Sequence, residues 1–561
     1  MKTEKKSEKN SESKNLVVAL VLSLLVVWGI NKWMPAQQKA TNTVNVPQQE
    51  QVQTESVNKP SVVLPVEDEK NDLSIKSDTL TGSLSAKGGR LNDLTFLKFK
   101  QSVKKYSPDV VLLDKSFFID FSIVSDDKNL ILPDENTVWE AQTSQLTPDH
   151  PLTLVWTNPQ GVRFTRTISL DAEYMFTVKD AVENASGEPI SVSFAGRIHR
   201  IDPKVEGSTS VHQGFVGVLD NNLQEKRYEA VKKDGKLSFT TTGGWLGLVD
   251  KYWGTALAFN QGISGVETSF FYNEVEQKNV YTAEYKTPAV SVPVGQTAEN
   301  VLNVFAGPKE LSLITGYQDT LNINKFELLI DFGWYYFLTK PFLYILSWLY
   351  GLVGNMGVAI LVFATILRIL MLPIAGKSFE SMAKMKKIQP KMQRLQEMYK
   401  NDRMRLQQET LALYKKENVN PASGCLPLLI QIPVFFSLYK VLSVSIEMRQ
   451  APFFGWIHDL SMPDPLSVFT LFGLIPWNVP SFLNIGVWPV LMGVTMYLQQ
   501  KMNPSVSPSN SQKQPPVLKW MPVIFTFMMG QFASGLVIYW TWSNVLSIAQ
   551  QRYVMHKYKV D

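Results

Sequence analysis

One apolar stretch, residues 357–373 (GVAILVFATILRILMLP), constrains the fold more than any other part of the chain. Its composition is typical of a membrane-spanning helix, yet it contains one charged residue, Arg368. A guanidinium inside such a helix costs about 2.5–3.5 kcal/mol on insertion scales. The charge therefore faces a water-filled cavity or a partner, or it reaches the nearby polar interface along its apolar stem. We favour the first alternative, in which the helix lines a wet concavity within a membrane bundle.

The rest of the chain divides into two unlike parts. Its 561 residues have room for two or three domains, with a polar first two-thirds and an apolar remainder from about residue 332. The five histidines are scattered, Cys425 is the only cysteine, and no nucleotide- or metal-binding motif is present. We therefore predict a protein that is not an enzyme and has no cofactor or metal. The net charge of +5 is modest and says little by itself about nucleic acid, and we predict no nucleic-acid specificity.

Residues 1–34 combine a lysine-rich start with an apolar run over residues 16–30. This pattern fits either a cleaved signal peptide or an uncleaved membrane anchor. We favour the anchor, because no small-residue cleavage site follows the run and because Trp28 and Trp33 suit a membrane interface. The amino end then stays in the cytoplasm. Residues 35–72, rich in Gln, Asn, Thr and Pro, predict a disordered linker.

Residues 73–325 show the two-residue period of β-strands. Examples are SFFIDFSIV (116–124), LTLVWT (152–157), VRFTRTISL (162–170), YMFTVKDAV (174–182) and ISVSFAGRI (190–198). Turn residues separate these runs, which predicts a large β-sandwich closed by a short helix near residues 309–321. Because the segment shows no carboxylate pair and no metal-ligand cluster, we favour a scaffold or docking module over an enzyme.

Residues 326–354 are apolar and aromatic but contain Asp331, Lys340 and Pro341. Such a segment is either a spanning helix or an amphipathic helix at the outer interface of the membrane. Residues 376–424 carry 11 Lys and Arg against 5 Asp and Glu, so the positive-inside rule predicts that they are cytoplasmic. A single crossing before them satisfies this rule. Residues 326–354 are therefore predicted to be interfacial.

Residues 376–424 predict a cytoplasmic helical hairpin, with helices at about 378–400 and 403–417. Apolar residues recur at steps of three and four on the first helix and form one stripe. This stripe either packs within the hairpin or serves as an adaptable docking surface. The excess of positive charge favours contact with anionic lipids or a ribosome. The candidate docking residues are Met382, Met385, Lys386, Lys387, Met392 and Arg394.

The remaining apolar segments complete six predicted crossings with both termini in the cytoplasm. Residues 517–549 are too long for one crossing, because a straight helix of this length would measure about 50 Å against a hydrocarbon core of about 30 Å. The run 532–535 (FASG) supplies a break between two shorter helices. The other segments are a crossing at 426–446, an outer loop at 447–484, a returning helix at 485–499 and a basic tail at 552–561.

Five segments of the membrane region carry more specific motifs. They are LRILMLPIAGKSFESMAKMKKIQPKMQ (367–393), NPASGCLPLLIQIPVFFSLYKVL (420–442), RQAPFFGWIHDLS (449–461), MGVTMYLQQKMNP (492–504) and MPVIFTFMMGQFASGLVIYWTWSN (521–544). Together they closely resemble the YidC family of bacterial membrane protein insertases, which has relatives in mitochondria and chloroplasts. The similarity covers essentially all of residues 355–555, and the additional large β-domain resembles the Gram-negative form.

The resemblance implies a multi-domain membrane protein. Its fold class is an α-helical transmembrane bundle, with six crossings and a five-helix core, plus a large extracytoplasmic β-supersandwich domain. The expected domains are an amino-terminal anchor (1–34), a linker (35–72), a periplasmic β-domain (73–325), an interfacial helix (326–354), an insertase core (355–551) and a basic tail (552–561). The expected location is the bacterial inner membrane.

The resemblance also implies a hydrophilic groove that is open to the cytoplasm and to lipid. By motif position, Arg368 matches the groove arginine of the family, and Gln431 matches a groove-facing polar residue. Trp540 stands where enteric members have a tyrosine, so the bulk is kept without the hydroxyl group. Ser543 matches a polar groove position, and Asn544 follows it in the same motif.

The implied function is the insertion and folding of nascent inner-membrane proteins, alone or with the Sec translocon, without nucleotide hydrolysis. The groove would hydrate the polar tail of the nascent chain, and Arg368 would attract acidic tail residues. One alternative is a transporter or channel that uses the same polar cavity, although no repeat relates residues 355–446 to 485–550. A second alternative is an exported carbohydrate-binding module with a membrane anchor.

Overall fold

A computed structural model describes residues 72–205, 211–417, 419, 426–472, 474–475, 479–480, 483–502 and 516–558. The side chains of residues 403, 426–430 and 516–519 lie outside this description. The predicted anchor (1–34), almost all of the predicted linker (35–72) and the end of the predicted tail also lie outside the described residues.

The first part of the described chain forms two large β-sheets. The strands are β1 (Asp72–Lys76), β2 (Leu80–Ser85), β3 (Arg90–Lys100), β4 (Asp109–Leu113), β5 (Phe117–Val124), β6 (Glu140–Ala141), β7 (Gln145–Leu146), β8 (Leu152–Thr157), β9 (Val162–Leu170), β10 (Met175–Asn184), β11 (Ile190–Ile201), β12 (Gly214–Leu219), β13 (Asn222–Lys226), β14 (Leu237–Thr241), β15 (Gly244–Val249), β16 (Trp253–Phe259), β17 (Val266–Val275), β18 (Lys278–Lys286), β19 (Val290–Val292) and β20 (Thr297–Pro308). The structure thus contains the five strands that were predicted from the sequence.

The two sheets share one apolar core. One sheet has the order β14-β17-β18-β11-β5-β3-β2-β1-β7, with β19 paired to β11 and β4 paired to β3; the other has the order β13-β12-β15-β16-β20-β10-β9-β8-β6. Alternate residues of β9 are buried, as expected for a strand with one face toward a core. Between the sheets, the rings of Phe259 and Tyr285 stack with their centroids 5.4 Å apart. The rings of Phe215 and Phe270 lie 4.9 Å apart.

A charged pair is buried inside this core. The guanidinium of Arg166 on β9 donates to both carboxylate oxygens of Asp180 on β10, at 2.7 and 3.2 Å. It also donates to the carbonyl oxygen of Gly89 at 3.2 Å. Trp139 and Phe121 cover the guanidinium, with their ring centroids 5.1 and 5.3 Å from Cζ. Arg166 is 1 % exposed, so both charges depend on each other for compensation.

Helices dominate the chain after β20, and one short helix lies earlier, between β13 and β14. The helices are α1 (Tyr228–Asp234), α2 (Leu311–Thr320), α3 (Tyr336–Val353), α4 (Met356–Leu370), α5 (Leu372–Met398), α6 (Arg403–Lys416), α7 (Leu426–Val444), α8 (Val487–Met502), α9 (Pro516–Met529) and α10 (Ser534–Lys557). Among the helices of the described chain, α1 was not predicted, because its seven residues interrupt a long series of strands. Measured by length and apolar composition, none of the described helices could cross a membrane by itself, whereas α4 and α5, which meet at a 65° bend, qualify as a pair.

Two helix boundaries differ from the sequence-based expectation. Helix α5 starts directly after α4 instead of near residue 378, because Pro373 lies in its first turn, where proline has no hydrogen bond to lose. The break between α9 and α10 was predicted at residues 532–535, but Ser534 and Gly535 already belong to α10. Their N–H groups donate to the carbonyl oxygens of Met462 and Leu460, at 2.8 and 3.0 Å. These two carbonyl groups, in the loop between α7 and α8, cap the start of the helix.

Ionic contacts join the β-domain to the helices. The ammonium of Lys440 on α7 pairs with Asp331, which also accepts a hydrogen bond from the backbone N–H of His212 at 2.6 Å. Burial by itself would raise the pKa of Asp331, but the Lys440 ammonium and the His212 N–H hold that pKa below its ordinary value. The guanidinium of Arg449 donates to the carbonyl oxygen of Lys100 at 2.5 Å. The two regions therefore meet through specific polar contacts.

Lys309 lies near this junction and carries a poorly compensated charge. It is 1 % exposed, and its Nζ has no hydrogen-bond partner within the described residues. Burial lowers the pKa of Lys309 to about 8, although the carboxylates of Asp331 and Asp250 partly oppose this effect. The folded protein therefore holds this proton less tightly than the unfolded chain, in which the pKa of lysine is about 10.4.

Replacing Lys309 with methionine is therefore expected to stabilise the protein. Because the unfolded chain binds the extra proton between pH of about 8 and 10, the free energy of unfolding of the wild type rises with pH over that interval. The Lys309→Met variant should lack this rise and should gain about 1–3 kcal/mol at pH 7. Denaturation of the full-length protein across this pH range measures both effects. Lower stability of the variant at pH 7 would contradict the assignment.

Candidate functional site: a polar cavity between helices

A cavity lies where helices α4, α5, α7 and α10 meet. Its volume is about 30 Å³, which is enough for about two water molecules. It lies beside the bend between α4 and α5, so two helix ends contribute to its wall. The lining residues are Ala364, Leu367, Arg368, Met371, Ile374, Ala375, Gln431, Val434, Tyr539 and Ser543. The structure thus brings together three predicted groove residues, Arg368, Gln431 and Ser543.

Arg368 is the charged side chain among these lining residues. It lies in the last turn of α4, and its Nη2 donates to the backbone carbonyl oxygen of Ser543 at 2.8 Å. Its Nε is buried and has no hydrogen-bond partner within the described residues. No acidic side chain in the described part of the chain pairs with its guanidinium. The cavity therefore presents an uncompensated positive charge with an unused donor.

Tyr539 completes the polar wall of the cavity, although it was not among the predicted site residues. Its side chain is 3 % exposed, and its hydroxyl oxygen accepts a hydrogen bond from Nε2 of Gln431 at 3.2 Å. Tyr539 precedes Ser543 by four positions on α10, so both residues share one helix face. The four-residue spacing from Ser543 could have predicted Tyr539, but motif position led to the prediction of Trp540 instead.

Trp540 and Asn544 lie on the neighbouring face of α10 and do not line the cavity. The Trp540 ring packs against Phe435 and Phe525, with centroids 4.6 and 5.7 Å away. The side-chain nitrogen of Asn544 donates to the hydroxyl of Thr495 on α8 at 3.2 Å. These two residues connect helices to one another, whereas Tyr539 and Ser543 face the cavity.

The chemistry of the cavity is that of a hydrogen-bonding surface. It offers a guanidinium, an amide, a phenol and a serine hydroxyl, and these groups can solvate polar peptide or carboxylate groups. Within the described ranges, no cluster of three or more His, Cys, Asp or Glu side chains could hold a metal ion. The arrangement is therefore suited to binding and hydrating polar groups.

The predicted docking hairpin consists of α5 and α6, and much of its methionine stripe is buried within it. Met385 and Met392 are each 6 % exposed and pack in a small core with Ile388, Tyr414 and Val419. Met382 and Lys386 are half-buried, whereas Lys387 and Arg394 are exposed. The exposed methionines of the hairpin are instead Met398 and Met404, at 69 % and 70 %. A docking surface on this hairpin would therefore use its basic face and its tip.

Comparison with known proteins covers nearly the whole chain. Residues 348–561 match the family model described as 60Kd inner membrane protein, and residues 72–345 match the model of the YidC periplasmic domain. The membrane protein insertase YidC of Rickettsia massiliae is 41 % identical over 560 residues, covering 97 % of this chain and 99 % of that protein.

Two further relatives extend the comparison. The membrane protein insertase YidC of Beijerinckia indica is 44 % identical over 591 residues, covering 97 % of this chain and 96 % of that protein. A crystal structure of an active YidC insertase with its first transmembrane domain resolved is 19 % identical, with a TM-score of 0.36, and covers 86 % of this chain and 92 % of that one. The family consists of insertases and not of catalytic enzymes, which confirms that part of the sequence-based prediction. The chain therefore belongs to the YidC family of membrane protein insertases, inner-membrane proteins with a periplasmic domain.

Proposed function

We propose that this chain inserts nascent membrane proteins by holding the polar end of each client in the cavity at Arg368. The observation that carries the proposal is the state of the Arg368 guanidinium. It lies among apolar helices, donates to a backbone carbonyl group, and has a buried Nε with no partner in the described structure. A structural arginine in this position would normally be paired with a carboxylate. An arginine whose function is to bind the carboxylate of a client would have this arrangement.

The cavity lowers the main barrier to insertion. A polar tail that crosses hydrocarbon leaves peptide groups without hydrogen bonds, and each such group costs several kcal/mol. Gln431, Tyr539 and Ser543 provide hydrogen-bonding groups part of the way across the bundle. Water in the cavity would extend this polar path. The client tail then crosses a shorter apolar distance.

The positive charge provides selectivity for acidic tails. A carboxylate near Arg368 would interact more strongly than in water, because the surrounding helices lower the effective dielectric constant. The Nε has no partner in the described structure, and the Nη2 donates to the carbonyl oxygen of Ser543. A small rotation of the Arg368 side chain would let both nitrogens donate to one carboxylate. Clients with neutral tails would gain only the hydration, so their insertion depends less on Arg368.

Release of the client into lipid would provide the driving force. Burial of an apolar client segment contributes about 25 cal/mol for each Å² removed from water, so insertion proceeds without nucleotide hydrolysis. Pro433 lies inside α7 and Pro522 inside α9. Each proline removes one backbone hydrogen bond from its helix. These helices could therefore bend to open the bundle toward lipid.

The topology that accompanies this function has six crossings, with both termini in the cytoplasm. In this topology residues 1–34 form an anchor, residues 35–72 a linker and residues 73–325 the periplasmic domain. Helix α3 lies in the outer interface, and its exposed apolar side chains, such as Trp348 at 62 %, support this position. Residues 355–551 form the insertase core, and residues 552–561 form a cytoplasmic tail.

Partners would contact the two ends of the core. The basic face of the α5–α6 hairpin, including Lys387 and Arg394, would contact anionic lipid and the ribosome. The Sec translocon would cooperate in the insertion of larger clients. The hairpin tip, with Met398 and Met404 exposed, adds an adaptable apolar surface to these contacts.

A liposome assay tests the proposed function. The full-length protein is reconstituted in vesicles of phosphatidylethanolamine and phosphatidylglycerol, and a small single-span client with an acidic tail is added. We expect protease protection of the client well above that in protein-free vesicles. Entrapped sugar and potassium leakage are measured on the same vesicles. Solute flux without client protection would contradict the proposal and favour a transporter or channel.

A further inference from the structure

The outer loop between α7 and α8 has an apolar tip, defined here as residues 465–472 together with 474 and 475. The chain from residue 465 to residue 500 contains no Asp, Glu, Lys, Arg or His. The tip exposes Leu471 by 52 %, Phe472 by 53 %, Leu474 by 81 % and Ile475 by 43 %. Such a concentration of exposed apolar side chains marks a contact surface, because scattered exposure of single residues is the norm.

A polar network at Asp464 fixes the base of the tip. Asp464 is 3 % exposed, and its carboxylate accepts hydrogen bonds from Nε1 of Trp456 and the N–H groups of Leu466 and Trp488, at 2.9, 3.0 and 2.9 Å. The N–H of Val468 donates to the carbonyl oxygen of Ile485 at 2.9 Å. These hydrogen bonds tie the base of the tip to Trp456 and to the start of α8.

Four backbone N–H groups of the tip donate to carbonyl oxygens within the tip. Those of Leu471, Phe472, Leu474 and Ile475 donate to carbonyl oxygens of residues 468, 467, 471 and 470, at 3.1, 3.0, 3.3 and 3.0 Å. Leu471 and Phe472 adopt φ values of +46° and +61°, which bulky side chains rarely adopt. In this left-handed turn the backbone forms these hydrogen bonds while the side chains of Leu471 and Phe472 remain exposed on the surface. These four groups would therefore add no unpaired donor if the tip entered an apolar medium.

We infer that the tip is inserted in the outer leaflet of the bilayer, with lipid acyl chains as its contact. This inference rests on the proposed topology, which places the loop on the outer side of the membrane. Helix α8 supports lipid as the occupant, because it begins just after the loop and exposes Leu491, Val494 and Leu498 by 42–51 %. These residues share one helix face, so α8 also presents an apolar surface of the kind that lipid covers. The tip anchors the outer ends of α7 and α8 at a fixed depth.

Depth-dependent quenching tests the inference on the full-length protein. Cys425 is replaced with serine, and an environment-sensitive fluorophore is attached in turn to L474C, to L491C on α8 and to V301C on β20, which is 43 % exposed in the β-domain. The protein is reconstituted in phosphatidylethanolamine–phosphatidylglycerol vesicles that contain lipid with a quencher on the acyl chain. We expect quenching at position 474 within about twofold of position 491 and about fivefold above position 301.

Three outcomes would overturn the inference. Quenching at position 474 equal to that at position 301 would place the tip in water. If the fluorophore at position 474 is shielded from water only at high protein density in the vesicles, a second copy of the chain is the occupant. If the fluorophore at position 474 is shielded from water only when client is added, a client helix is the occupant. Client insertion is measured on the same vesicles, so an intact insertion activity with a water-exposed tip rejects the anchor without rejecting the proposed function.

Discussion

Replacing Arg368 with alanine is expected to lower the insertion of acidic-tailed clients by about tenfold to a hundredfold. A hydrogen bond to a charged group contributes about 1.5–3 kcal/mol, and each 1.4 kcal/mol corresponds to about a factor of ten. The structure supports a loss in this interval because the guanidinium has an unused Nε and no competing carboxylate within the described residues. Initial rates of protease protection in the liposome assay provide the measurement.

Matched variants separate charge from volume and structure. Arg368→Met keeps most of the side-chain volume but removes the charge, so it should resemble alanine. Arg368→Lys keeps the charge and should retain most of the activity. For a client whose acidic tail residues are replaced with neutral ones, wild type and Arg368→Ala should differ by less than about threefold. Full activity of Arg368→Ala on the acidic client would refute the attraction of acidic tails.

The second large effect concerns the buried pair in the β-domain. Replacing Arg166 with alanine is expected to lower the free energy of unfolding of this domain by about 3–5 kcal/mol, because Asp180 would remain buried without its partner. The variant would also leave the carbonyl oxygen of Gly89 and the faces of Trp139 and Phe121 without their contact. Protease resistance of the β-domain in the full-length protein, followed against denaturant concentration, measures the change.

A neighbouring exposed pair provides the control. Lys179 on β10 pairs with Glu299 on β20 at 2.8 Å, but the two side chains are 47 % and 53 % exposed. Lys179→Ala should change the free energy of unfolding by less than about 1 kcal/mol. The double variant Arg166→Met/Asp180→Leu should recover most of the lost stability, since neither charge remains to be compensated. Equal effects of Arg166→Ala and Lys179→Ala would contradict this account.

The centre of the site could be predicted from the sequence, because a charge inside an apolar run is a local signal. Arg368 can be identified from the free-energy cost of burying its charge alone. Gln431 and Ser543 followed from their positions in the family motifs. The β-strands were also predictable, because alternating burial, as in β9, leaves a period of two in the sequence. These features depend on residues that are close together in the chain.

The missed features depend on contacts between distant elements. Whether residue 539 or 540 faces the cavity depends on the rotation of α10 against α4 and α7, which no local pattern determines. Likewise, Met385 and Met392 have the spacing of a docking surface, but Tyr414 and Val419 from the other side of the hairpin cover them. The burial of Arg166 required the return of β10 beside β9. Helix rotation and strand pairing are tertiary properties that single-segment periodicity cannot specify.

The central claim is that the polar tail of a client occupies the cavity beside Arg368 during insertion. Photo-crosslinking tests it most directly, with a photoreactive residue at position 431 in the cavity and, as a control, at position 369, whose side chain is 58 % exposed on the outside of the bundle. A stalled nascent client is used as the target. The account predicts crosslinks from position 431 to the acidic tail and crosslinks from position 369 mainly to lipid. Absence of any tail crosslink from position 431, in a preparation that inserts the client, would contradict it.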